Sequence, residues 1–140
     1  MTTIIQSDFV SNNRSVSDLK AHLILTTKYR KDVFTASMLA RLNEILEELL
    51  IKWECKLVEF NGEENHVHIL FQYHPNITLS KLVNNIKTVT SRKLRKEFAE
   101  QINNIYWKDV LWNGSYFIAS CGRVTISTLK KYIENKNNPE

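Results

Sequence analysis

The stretch Asn65-His66-Val67-His68-Ile69-Leu70 sets two imidazoles two positions apart. On a β-strand, side chains alternate between faces. His66 and His68 would therefore share one face, while Val67, Ile69 and Phe71 take the other and enter a core. Two same-face imidazoles roughly 6.5–7 Å apart along the strand can converge on one ion, and neutral imidazole is the commonest metal-binding side chain. A histidine pair on an arbitrary strand is nevertheless more often solvated than metal-bound. A complete site also needs a third protein ligand or a substrate oxygen. The two cysteines, Cys55 and Cys121, form no CxxC pair, so nothing suggests a closed zinc site. The coherent chemistry is an open site that also accepts a phosphate oxygen.

A second candidate lies near the C-terminus, in Thr128-Leu129-Lys130-Lys131-Tyr132-Ile133-Glu134-Asn135-Lys136. Ile126, Leu129 and Ile133 make an apolar helical stripe, and Tyr132 sits at its polar edge, where a packing role is the commoner one. A phenol with a pKa of about 10 is phenolate in only roughly one part in a thousand at neutral pH. As a nucleophile, Tyr132 would need a cation or a metal beside it. Lys136 falls one turn on, at i+4.

The elements that must position these residues can be read from periodicity. Ala21–Lys28 reads as a strand, Ala36–Trp53 as a helix capped by Thr35, Cys55–Asn61 as a strand, and Asn61-Gly62 as a turn. His66–Tyr73 reads as a third strand, ended by Pro75. Leu79–Phe98 reads as a helix with Thr78 as its cap, Tyr116–Ser120 as a fourth strand, and Val124–Asn135 as a final helix. The order β-α-β-β-α-β is that of the split βαβ, or ferredoxin-like, fold. This is an α+β class, with an antiparallel sheet, helices on one face, and an added C-terminal helix carrying the tyrosine. That superfold serves many functions, so function must be argued from the site.

The chain has 140 residues, of which 43% are hydrophobic and 24% charged, enough for one domain with a real core. Residues 1–140 are read as a single domain, with 1–17 polar and flexible. No run of about 18 apolar residues marks a membrane span, and no signal-peptide core is present. A cytoplasmic location with free thiols is the expectation. The net charge of +4 favours an anionic partner.

Together these pieces resemble the small single-tyrosine HUH transposases of the insertion-sequence 200/605 type and their relatives associated with extragenic repeats. The resemblance runs from about Leu19 to Lys136. It rests on HLILTTKYRKDVF at 22–34, EFNGEENHVHIL at 59–70, LSKLVNNIKTVTSRKLRKEF at 79–98, LWNGSYFIASCG at 111–122 and ISTLKKYIENK at 126–136. It implies His66 and His68 as ligands of Mg²⁺ or Mn²⁺ and Tyr132 as the nucleophile. It further implies a 5′-phosphotyrosine intermediate, hairpin-bearing single-stranded DNA as substrate, a homodimer, and no nucleotide cofactor. The family often places Gln four residues after the tyrosine as a further ligand, where this chain has Lys136. A protonated lysine cannot coordinate a cation. Glu64, Glu63, Asn135 or water would then supply the remaining position, and Lys136 would position phosphate.

DNA contact is expected from Lys28, Arg30 and Lys31 after the first strand, and from Lys87, Arg92, Lys93, Arg95 and Lys96 on the second long helix. Tyr29, Tyr73 and Trp112 are candidates for stacking on unpaired bases, with packing the commoner role for each. His22 and His74 are read as structural or solvated. Two other readings compete, beside a metal-binding structural protein that the absent closed ligand set disfavours. One is a non-catalytic ferredoxin-like nucleic-acid-binding module, although the aromatic-rich strand signature of RNA-binding sheets is not evident. The other is a replication-initiator or relaxase-type nickase with the same chemistry.

Overall fold

The computed structural model describes residues 10–12 and 15–121. Within the polar N-terminal stretch, β1 (Val10–Asn12) and β2 (Ser15–Ser17) form a two-stranded antiparallel ribbon. The main sheet follows. It comprises β3 (Leu19–Thr26), β4 (Lys56–Gly62), β5 (His66–Tyr73) and β6 (Phe117–Cys121). Their order is β4-β5-β3-β6, antiparallel throughout, which is the ferredoxin-like arrangement. Between them lie α1 (Ala36–Lys52), α2 (Leu79–Glu97) and a short α3 (Ala99–Ile105).

Strand alternation assigns the two faces of the sheet. Ala21, Leu23 and Leu25 of β3 and Val67, Ile69 and Phe71 of β5 are buried in one cluster with Met38, Leu42, Ile45, Leu46 and Leu50 of α1 and Leu82, Val83, Ile86 and Leu94 of α2. Both helices therefore lie on this face, and each presents its apolar stripe to it. The opposite face carries only a small apolar group, in which Ile24 and Leu70 are buried against Val58, Phe117 and Ala119. That face also holds the histidines.

Several boundaries differ from the sequence reading. The first strand ends at Thr26 rather than Lys28 because residues Lys28–Arg30 fold into a 3-10 turn. Asn61-Gly62 is strand, not turn, and pairs with His68 and Val67. The reversal is made instead by residues 63–65 and closed by the Glu63 N–H donating to the His66 carbonyl at 2.9 Å. Gly62 serves close packing, since a Cβ there would sit 2.5 Å from Leu39 Cδ2 and 3.1 Å from Val67 Cγ1. Thr35 caps α1 as expected, its hydroxyl accepting from the Met38 N–H at 3.2 Å. Thr78 precedes α2 without a side-chain cap bond. The helix α3 was missed because Ala99–Ile105 is too short, with too few apolar residues, for a 3.6-residue period to register. The predicted helix Val124–Asn135 lies outside the described residues.

Candidate functional site

His66 and His68 stand on the face of β5 away from the helices, as alternation required. Both are half-buried, and their ring centroids are 5.2 Å apart. The Nδ1 of His66 lies 2.8 Å from Asn65 Oδ1. The Nδ1 of His68 lies 3.2 Å from Nε2 of His22. A protein partner on Nδ1 fixes the ring and turns Nε2 toward any ligand, a recurring arrangement around metal-binding histidines. The donor chemistry and the spacing thus fit a divalent ion on the two imidazoles. The set is partial: among the described residues no group of three or more His, Cys, Asp or Glu side chains converges as a metal cage. Glu64 is exposed in the turn before β5, where its carbonyl accepts from the Val33 and Phe34 N–H groups. Tyr132, Asn135 and Lys136 lie outside the described residues.

His22 joins this face in a way the sequence reading did not use. It is buried on β3, directly opposite Leu70 in the register and beside His68, with ring centroids 5.3 Å apart. Asn61 of β4 is the register partner of His68 and donates to Glu59 at 3.2 Å. His22, Glu59, Asn61, His68 and Leu70 line one small recess. The sequence held only part of the signal. Even-numbered residues of β3 and β5 share a face, and only the register between the two strands was lacking. His74 is buried, with its Nε2 3.3 Å from the Trp53 carbonyl, a structural position.

The predicted basic residues divide by environment. Lys28 is half-buried, while Arg30 and Lys31 are exposed on the loop that leaves β3 at the His66 end of the sheet. On α2, Arg92 and Lys96 are exposed and Lys93 is half-buried. Arg95 donates to Ser91 Oγ at 3.0 Å and stands 3.6 Å from Asp109. Lys87 points inward. Its ammonium donates to the carbonyls of Asn113 and Gly114 at 2.9 and 3.1 Å and lies 5.6 Å from the Tyr116 ring centre. Burial, and then the nearby Lys28 charge, lower its pKa from the ordinary lysine value. Lys87, Arg92 and Arg95 line an open groove of about 390 Å³ that also touches Val110 and Trp112. Trp112 itself is buried, tilted against Phe34 and donating to Thr90 Oγ1 at 2.9 Å. Tyr73 is buried as well, in contact with Ser120. Both of these aromatics pack. Tyr29 does not, being 72% exposed.

The family model described as "Transposase IS200 like" matches residues 15–136 of this sequence. The chain belongs to that family. This IS200-like transposase is 27% identical over 125 residues to the ISDra2 transposase TnpA of Deinococcus radiodurans, covering 89% of each chain. It is 22% identical over 117 residues to the transposase for insertion sequence element IS200 of Salmonella typhimurium, covering 84% of this chain and 76% of that one. Its fold matches the crystal structure of a putative transposase from Deinococcus radiodurans R1 with a TM-score of 0.72 at 27% identity, over 90% of this chain and 96% of that one. It also matches a REP-associated tyrosine transposase bound to a REP hairpin, with a TM-score of 0.53 at 12% identity, over 89% and 67% of the two chains. The chain is therefore a transposase of the single-tyrosine type, an enzyme of DNA transposition that cleaves DNA and transfers strands. Among the described residues, no helix is long and apolar enough to cross a membrane.

Proposed function

We propose that this transposase nicks and rejoins single-stranded DNA at hairpin-bearing element ends, with Tyr132 as nucleophile and His66 and His68 as metal ligands. The observation that carries the reading is the pair of same-face imidazoles with centroids 5.2 Å apart, each with its Nδ1 engaged by a protein partner. The family match extends through residue 136 and so spans Tyr132. A hairpin partner is carried over from the neighbour bound to a REP hairpin.

A bound Mg²⁺ or Mn²⁺ would supply polarisation of a non-bridging oxygen of the scissile phosphate. His66 and His68 would hold and orient that ion, and Glu64, Asn135 or water would supply the remaining ligands. The Tyr132 oxygen attacks phosphorus in line. The phenol proton passes to solvent, the tyrosyl O–P bond forms, the P–O3′ bond breaks, and the departing 3′ oxygen takes up a proton. A 5′-phosphotyrosine and a free 3′-hydroxyl result. Attack by the 3′-hydroxyl of another strand reverses the step and joins the ends. The phosphodiester bond energy is retained throughout, so no nucleotide cofactor is required. Lys136, four residues after Tyr132 in the sequence, positions the phosphate rather than the metal. The working unit is a homodimer in the cytoplasm, in which one subunit's C-terminal segment, carrying Tyr132, can complete the other's site.

Tyr132→Phe tests the reading. Incubated with labelled hairpin-bearing single strands and Mn²⁺, the wild-type protein is expected to give a covalent protein–DNA band. The variant should bind equally but give none. Cleavage by the variant at the wild-type rate would remove Tyr132 from its role, and a wild-type protein that forms no adduct on any such strand would favour a binding module.

A further inference from the structure

The loop after β3 and the segment after α3 enclose a recess of about 260 Å³, lined by Lys28, Tyr29, Lys31, Tyr106, Trp107 and Lys108 among others. Two of its aromatic rings stand in solvent, Tyr29 at 72% and Trp107 at 88% exposure. Lys28 Nζ lies 5.5 Å from the Tyr29 ring centre, and Lys108 Nζ lies 5.1 Å from that of Trp107. Exposed aromatic rings flanked by ammonium groups offer the two contacts an unpaired nucleotide uses, a stacking face for its base and cations for its phosphates. From the geometry we infer that this recess is a binding site for one unpaired nucleotide, its base stacked on Trp107 and Tyr29 and its flanking phosphates held by Lys28, Lys31 and Lys108. The inference rests on the single-strand reading above and names a contact surface for it.

Three observations favour this occupant. The first is rigidity. Thr27 N–H donates to the Asn65 carbonyl at 3.0 Å and Lys28 N–H to the Leu111 carbonyl at 2.8 Å, while Tyr106 Oη donates to the Lys28 carbonyl at 2.5 Å. Burial raises the Tyr106 phenol above its ordinary pKa, so it remains a donor. The second is backbone conformation. Tyr29 and Arg30 both adopt left-handed φ, at 60° and 53°. Non-glycine residues hold that conformation only where their surroundings impose it, often at ligand sites. Here it lifts the Tyr29 ring out of the fold. The third is location. Thr26, the residue at the end of β3, pairs with His66, so the recess begins just past the histidine end of the sheet. It also shares Val110 with the basic groove along α2, so a phosphate track and a base site adjoin.

A second copy of the chain is the other conceivable cover. In a two-fold contact the patch would meet itself, and Lys28, Lys31 and Lys108 would face like charges. A polyanion with a planar base answers both features, because every base has a face that stacks on an aromatic ring.

The test uses the full chain and a mixed-sequence DNA hairpin with a short unpaired flank, compared with the same hairpin carrying an abasic flank. Wild type should bind the abasic form about tenfold more weakly, the scale of one stacked base, and Trp107 fluorescence should be quenched only by the intact flank. Trp107→Ala, at an exposed position, should bind both forms at the weaker level. Equal wild-type affinity for the two flanks, or undiminished binding by Trp107→Ala, overturns the site. Loss of dimers in Trp107→Ala by sedimentation, with flank discrimination intact, overturns it in favour of a subunit contact. The covalent-adduct assay separates the two proposals. An adduct without flank discrimination sinks this site alone, whereas discrimination without an adduct leaves it standing and sinks the nicking reading.

Discussion

His22 shows how much one buried residue can matter to a site it does not itself form. Its Nε2 is 3.2 Å from Nδ1 of His68, and groups that hydrogen-bond the far nitrogen of a metal-binding histidine commonly affect affinity by 10–100-fold. His22→Phe keeps a ring in the buried space and deletes the polar contact. Mn²⁺ affinity, followed by electron paramagnetic resonance on protein shown by circular dichroism to be folded, is expected to fall about tenfold or more. Unchanged affinity would make His22 a packing residue only. The side chains of His66 and His68 were legible from their own spacing, because alternation on a strand needs no tertiary information. His22 was not, because its place depends on pairing with a strand more than forty residues away. The role proposed for Tyr132 rests on resemblance, since its local sequence pattern equally suits packing.

Among the elements, α2 links the core to the groove. Its Thr90 donates to the Ile86 carbonyl at 2.6 Å and accepts from the Trp112 indole at 2.9 Å, all in buried surroundings. Lys87, one turn earlier, binds the carbonyls of Asn113 and Gly114. These bonds hold the segment that precedes β6 against the helix. Thr90→Val keeps the shape but leaves the indole N–H buried without its acceptor, and is expected to cost about 1–3 kcal/mol, read as a lower urea midpoint with unchanged slope. A midpoint equal to wild type would mean that the indole finds another acceptor. Strong periodicity made α1, α2 and β5 readable, and β5 matches its sequence bounds, His66–Tyr73. The errors fall where local signals compete with packing. Asn61-Gly62 carries turn residues, yet it continues β4 in register with His68 and Val67, and the glycine there answers to Leu39 of α1, which leaves no room for a Cβ at position 62. Trp107 and Lys108 were passed over because neither belongs to a periodic element.

At the scale of the whole molecule, a net charge of +4 is modest, so the arrangement of charge matters more than its sum. Lys87, Arg92 and Arg95 line one groove, and Lys28, Lys31 and Lys108 the recess beside it. Affinity for single strands should fall linearly with salt on a double-logarithmic plot. Replacing the exposed Arg92 with Ala should reduce that slope by about one. A slope unaltered by the change would place Arg92 off the DNA path. The main sheet, for its part, turns one face to both long helices and leaves the other to the histidines. On β5 the odd-numbered residues Val67, Ile69 and Phe71 belong to the core, while His66 and His68 face away from it and carry the proposed chemistry. One short strand thus carries two messages interleaved letter by letter. A point change in one message can leave the other intact, whereas inserting or deleting a single residue garbles both at once.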